Sequence, residues 1–172
     1  MNEADFLGVP TLELAKAGQF GLLCAAWDLK LVMPESTPKI MQEAMCQGNM
    51  HDGVAYVAGL IQPTRADNGK EITAAFHTLP DAPDSREYAL KILGQYWLKR
   101  VAAGTDAEVA YVLAAADVAH ARLDYPADPF STMCYFHDMS QWDGDNEPPL
   151  PNAMQRAREW ASEYLAGDTS DP

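Results

Sequence analysis

From Thr105 to Tyr125 the chain contains neither glycine nor proline, and its apolar residues recur at helical spacing. Val109, Val112, Leu113, Ala116, Ala119 and Leu123 stand three or four positions apart, so they line one face of a helix over 106–123, with Arg122 opposite. Thr105-Asp106-Ala107-Glu108 opens this helix as a capping box: the Thr105 hydroxyl reaches the Glu108 amide, and the Glu108 carboxylate reaches back. Gly104 closes the stretch before it. A helix with so broad a stripe cannot bury it alone, so the fold depends on what the rest of the chain offers as a partner.

The rest offers more helices. Residues 11–17 and 19–32 read as two short helices or one kinked helix, broken by Gly18 and Gly21 and ended by Pro34. Ser36-Thr37-Pro38 is a start signal, with Thr37 as cap and Pro38 at the first helical position; Gly48-Asn49 is the stop. Asn49 is the candidate cap of the next segment. There GVAYVAGLI also fits a buried strand, but no second strand exists to pair with it, so helix is the expectation. Pro63 and Asp67-Asn68-Gly69 mark a loop, followed by a short helix carrying Ile72, Ala75, Phe76 and Leu79 before Pro80. A long apolar helix is expected over 85–103, with Trp97 on its stripe. After the linker at 124–129, Asp128 caps and Pro129 opens a helix from Phe130 to Gln141. Residues 143–151 hold Gly144, Pro148, Pro149 and Pro151 and read as an irregular loop; a last helix follows over 152–166, capped by Gly167. The expected class is all-α: one domain over 1–167, a helical bundle or stacked helical hairpins of about seven helices, then a frayed acidic tail at 168–172. HDGVAYVAGL at 51–60 echoes DAEVAYVLAA at 106–115, but one similar pair does not establish a repeat.

Composition bounds the function. Twenty-five acids against 12 bases give a net charge of −13, a field that repels phosphate and argues against nucleic acid and anionic membranes as partners. Cys24, Cys46 and Cys134 are odd in number, widely spaced and without CxxC or Cys/His metal spacing, so each is expected to be a small buried hydrophobe in a reducing compartment. The start, Met1-Asn2-Glu3-Ala4-Asp5, is acidic where a signal peptide needs positive charge, and no long apolar run occurs, so the expected location is the cytoplasm.

Two constellations stand out. Between Arg122 and Arg156 the chain has no Lys or Arg, yet it carries Asp124, Asp128, Asp138, Asp143, Asp145 and Glu147. Asp138, Asp143, Asp145 and Glu147, with Trp142 beside them as an aromatic anchor, are the candidate binding surface for a basic protein. The second constellation is His120, on the apolar face of its helix between Asp117 and Asp124, and His137 across the linker. If these two helices pack antiparallel, His120, His137, Asp117 and Asp124 offer the ligand types of a hydrolytic metal site. A lone histidine on an apolar face is more often a core residue with one hydrogen-bond partner, and neither HExxH nor paired ExxH is present. His51-Asp52 and His77 carry less support. Ser131 and Ser140 lie in no GxSxG context, and Asp143 to Glu147 lacks the ligand order of a calcium loop. No phosphate-binding glycine motif occurs, and no cofactor is expected.

Ser36 to Ile61, STPKIMQEAMCQGNMHDGVAYVAGLI, resembles part of an uncharacterised family of bacterial helical domains, in its Pro-opened helix, Gly turn and Asp-containing helix. Residues 94–142 are loosely similar as well, so the likeness spans about half the chain. That family tends to carry a tryptophan pair after a Leu-Pro, where this chain has KEITAAFHTL. The resemblance implies an all-helical bacterial cytosolic protein and brings no catalytic or ligand residue. The leading expectation is therefore a non-catalytic acidic module, an adaptor or an immunity-type inhibitor of a basic protein. The alternatives are a metal-dependent hydrolase at His120/His137 and a structural subunit that buries the 85–103 stripe in a homo-oligomer.

Overall fold

The computed structural model describes Asp5, Phe6, residues 9–141 and residues 152–167. Among these are nine α-helices: α1 (Thr11–Lys16), α2 (Phe20–Asp28), α3 (Thr37–Cys46), α4 (Asp52–Ala58), α5 (Arg65–Phe76), α6 (Arg86–Ala103), α7 (Asp106–Arg122), α8 (Phe130–Gln141) and α9 (Ala153–Gly167). A 3-10 turn spans Pro34–Ser36, and one antiparallel pair joins β1 (Asp5–Phe6) to β2 (Val9–Pro10). The all-α class holds, and 52–58 is helix. The loop expected at 143–151 and the tail at 168–172 lie outside the described residues. Among the described residues no helix is long and apolar enough to cross a membrane. Backbone contacts divide the chain into two compact units, Met1–Leu93 and Gly94–Pro172.

The first unit is organised around Trp27, which α2 delivers to its centre. Its ring stacks on Phe76 of α5 at a centroid distance of 5.6 Å, and its Nε1 donates to Thr73 Oγ1 at 2.9 Å. The Arg65 guanidinium also lies over the Trp27 ring, 3.7 Å from the centroid, and donates to the carbonyls of Trp27 and Val32. These contacts bind α2 to α5. The two short helices at the start are separate because Gly18 takes a left-handed φ of 71° between them. Gly21, inside α2, lets the turn after α5 approach closely: a Cβ there would sit 2.4 Å from the Asp81 carbonyl oxygen.

Three local expectations are corrected in this unit. Thr37 does not cap α3; it is the first helical residue, it is buried, and its hydroxyl donates to the Pro34 carbonyl at 2.7 Å. Asn49 does not cap α4, because its amide turns back to the Ala44 carbonyl; His51 takes the cap, its Nδ1 accepting from Gly53 N at 3.2 Å. Asp67-Asn68-Gly69 is not a loop but the first part of α5. Thr64 caps that helix, its Oγ1 accepting from Asp67 N and donating to Asp67 Oδ2, while Asn68 Oδ1 accepts from Thr64 N. Three hydrogen bonds at one helix start outweigh the turn preference of Asp-Asn-Gly.

In the second unit, α7 and α8 pack on each other, with the Cys134 thiol of α8 donating to the Ala116 carbonyl of α7. Cys134 lies in the first half of α8 and Ala116 in the second half of α7, so the chain folds back after α7. Val109, Val112, Leu113, Ala116, Ala119 and Leu123 are all buried, as the periodicity requires. Trp97 and Phe130 meet edge to face at 5.7 Å, and Gly94 gives Pro129 room, since a Cβ there would stand 2.9 Å from Pro129 Cγ. Thr105 caps α7 by accepting from Glu108 N at 3.4 Å; the Glu108 carboxylate turns to Arg100, 3.1 Å away. α9 buries Ala153, Ala157 and Ala161, and its Arg158 holds the start of α7 through the Gly104 carbonyl and Asp106.

Candidate functional site

Of the predicted partner-binding residues, Trp142, Asp143, Asp145 and Glu147 lie outside the described residues. Asp138 is exposed on α8. His120 is half-buried. Its Nε2 is 3.1 Å from the Pro126 carbonyl, which can only accept, so the proton sits on Nε2. Its ring lies edge-on to Tyr125, with centroids 5.2 Å apart and planes at 87°. His137 and Asp117 are half-buried and Asp124 is exposed. Among the described residues no three of His120, His137, Asp117 and Asp124 bring ligand atoms within 4.8 Å of one another. His120 instead fixes the turn that follows α7. In that turn Asp124 and Tyr125 both take left-handed backbone conformations, at φ 62° and 52°, and the Tyr125 side chain stands 70% exposed.

The described residues do contain one cluster of three metal-type donors, in the first unit: Cys24, Asp28 and His77, whose ligand atoms all lie within 4.8 Å of one another. Cys24 and Asp28 are one turn apart on α2 and so share a face. His77 is the C-terminal cap of α5. Its Nε2 lies 3.0 Å from Asp28 Oδ2 and 3.3 Å from Oδ1, so the two side chains pair. Burial, then the neighbouring Asp28 carboxylate, pushes the Cys24 thiol up to about 12. The Arg65 guanidinium is drawn below its usual value by burial, against the pull of Asp28. Cys24 and His77 are far apart in sequence, and no spacing rule joins them. A Cys-x-x-x-Asp pair on one helix was the only local signal.

The cysteines differ from the expectation in one case. Cys24 and Cys134 are buried, but Cys46 is exposed, because it ends α3 away from that helix's buried residues Ile40, Met41 and Ala44. Cys134 is raised to about 11, chiefly by burial and then by Asp117 and Asp138, so it is an inert thiol. Comparison with protein families, with characterised proteins and with solved structures finds no match to this chain.

Proposed function

We propose that the chain is a non-catalytic, acidic helical module that binds a basic protein. The observation that supports this reading is the end of α7. Tyr125 is held outward in a backbone conformation that a bulky residue adopts only at a cost of about 1–3 kcal/mol, and exposed strained residues concentrate where ligands are held. Tyr111 and Val118, both exposed, share the outer face of α7 two turns apart, and Tyr135 is exposed on α8. Tyrosines are favoured anchors because they bury a large area and retain a polar tip. Asp124, Asp128 and Asp138 are exposed in the same unit, and the net charge of −13 gives a basic partner a favourable long-range field. Exposed charge pairs contribute less than about 1 kcal/mol each, so tight binding needs the aromatic centre and the acids mainly speed association.

The test uses the whole chain as bait, with captured proteins identified and their binding measured. A basic protein is expected, with association slowed by added salt and by Asp138→Asn together with Asp124→Asn. Tyr125→Ala should speed dissociation. Capture that is indifferent to salt and to all three substitutions, with helicity intact, would refute the proposal.

A further inference from the structure

We propose that Cys24, Asp28 and His77 bind one borderline-soft divalent transition ion, for which Zn2+ is the best match, with a fourth position left to water. The donor set is one sulfur, one oxygen and one imidazole nitrogen. That mixture suits zinc and not the all-oxygen preference of calcium or magnesium.

The spacing fits. Bonds of about 2.0–2.1 Å from a tetrahedral ion place a nitrogen and an oxygen ligand about 3.3 Å apart, and a sulfur at about 2.3 Å places it about 3.5 Å from either. The observed nitrogen-to-oxygen separations are 3.0 and 3.3 Å, and every pair is within 4.8 Å. A modest inward turn of the exposed His77 and of Asp28 closes the remainder. The electrostatics also favour a cation. Asp28 is the last residue of α2 and His77 directly follows the last residue of α5, so two helix carboxyl ends, with their partial negative charge, meet at the site.

The frame is stiff, because the Trp27–Phe76 stack and the Trp27–Thr73 hydrogen bond join the two helices that carry the donors. Arg65 is the opposing charge. Its guanidinium is anchored over Trp27 and on the carbonyls of Trp27 and Val32, and the Asp28 carboxylate pairs with His77. On binding, the Cys24 S–H bond breaks, its proton leaves to solvent and a sulfur–metal bond forms, with no change in oxidation state. A metal ion at this distance overrides the burial that otherwise keeps the thiol protonated. Cys24 is buried, and the side chains of Asp28 and His77 are 25% and 40% exposed, so the open position faces solvent through them.

The experiment is a titration of the reduced full-length chain with Co2+, followed by absorption, then displacement by Zn2+. One equivalent of Co2+ should produce a near-ultraviolet thiolate-to-cobalt charge-transfer band and tetrahedral visible bands, both bleached by one equivalent of Zn2+. Cys24→Ala should abolish the charge-transfer band, and Cys46→Ser should leave it unchanged. His77→Ala, at an exposed position, should weaken Co2+ binding by about tenfold or more. No charge-transfer band in the unsubstituted chain would overturn the proposal and leave a simple Asp28–His77 pair. A band that survives Cys24→Ala, or binding unaffected by His77→Ala, would overturn it equally. Circular dichroism of each variant separates loss of the site from loss of the fold, and if Cys24→Ala does not fold the His77 variant alone decides.

Discussion

Adding one methyl group to Gly21 and adding one to Gly69 should change stability in opposite directions. Both glycines lie inside helices of the first unit, α2 and α5, and neither has a positive φ. Replacing a helix-interior glycine by alanine stabilises by about 0.8–1 kcal/mol when nothing is in the way. At Gly69 the nearest atom to the new Cβ is Arg65 Cβ at 4.0 Å, so most of that gain is expected. At Gly21 the Cβ would meet the Asp81 carbonyl oxygen at 2.4 Å and Asp81 Cβ at 2.9 Å. That neighbour is backbone, and it cannot simply turn aside. Its turn is tied to the end of α5 by Thr78 N–H to Ala75 O and Leu79 N–H to Phe76 O, and Leu79 is buried. Overpacking of this kind costs about 1–3 kcal/mol, and a contact this short belongs near the upper end. After subtracting the helix gain, Gly21→Ala should destabilise by about 1–2 kcal/mol, while Gly69→Ala stabilises by about 0.5–1 kcal/mol. Urea denaturation followed by far-ultraviolet circular dichroism reads both. With a slope of about 2 kcal/mol per molar, the midpoints should move down by about 0.5–1 M and up by about 0.3–0.5 M. A Gly21→Ala midpoint that rises as Gly69→Ala does would show that the turn at Asp81 does not lie against α2, and the reasoning would fail.

Three further outcomes follow from particular contacts. Thr105→Ala should cost about 0.5–1 kcal/mol in the same denaturation assay, the lower part of the N-cap range because the Thr105–Glu108 bond is long at 3.4 Å. Trp27→Phe should cost more than Trp97→Phe, by about 1 kcal/mol, because Trp27 loses a made hydrogen bond whereas the buried Trp97 Nε1 has no hydrogen-bond partner among the described residues. The hydroxyls of Ser131 and Thr132 hold the Asp128 carboxyl below its ordinary 3.8. A lowered folded-state value means that this contribution is fully present above 3.8 and is lost as pH falls through the lowered value. Stability measured from pH 5 downward should therefore fall less steeply in Asp128→Asn than in the unsubstituted chain, and equal slopes would contradict the assignment.

Much of the secondary structure was legible because helix starts, stops and stripes are local. α7 is the clearest case: the Thr105 cap, the unbroken stripe and the absence of Gly and Pro all act within one segment, so residue order alone determines it. The same locality explains the error at α5. Asp67-Asn68-Gly69 resembles a turn, yet Thr64-Arg65-Ala66-Asp67 is also a helix start, and both signals are printed in the same few residues. Hydrogen bonds to Thr64, Asp67 and Asn68 settled the competition, and the packing of Ile72 and Phe76 below them rewarded the helix. His120 was legible as a histidine with one partner, but that partner, the Pro126 carbonyl, depends on a left-handed turn that Asp124 tolerates and that the bulky Tyr125 does not announce. The meeting of Cys24 and Asp28 with His77 lies beyond any local signal. Periodicity places the first two on one face of α2, but His77 reaches them only because Trp27 stacks on Phe76 and bonds Thr73, which sets α5 against α2. Side-chain packing between helices distant in sequence is a property of the folded chain, since burial rewards a contact without regard to how far apart its residues stand in sequence.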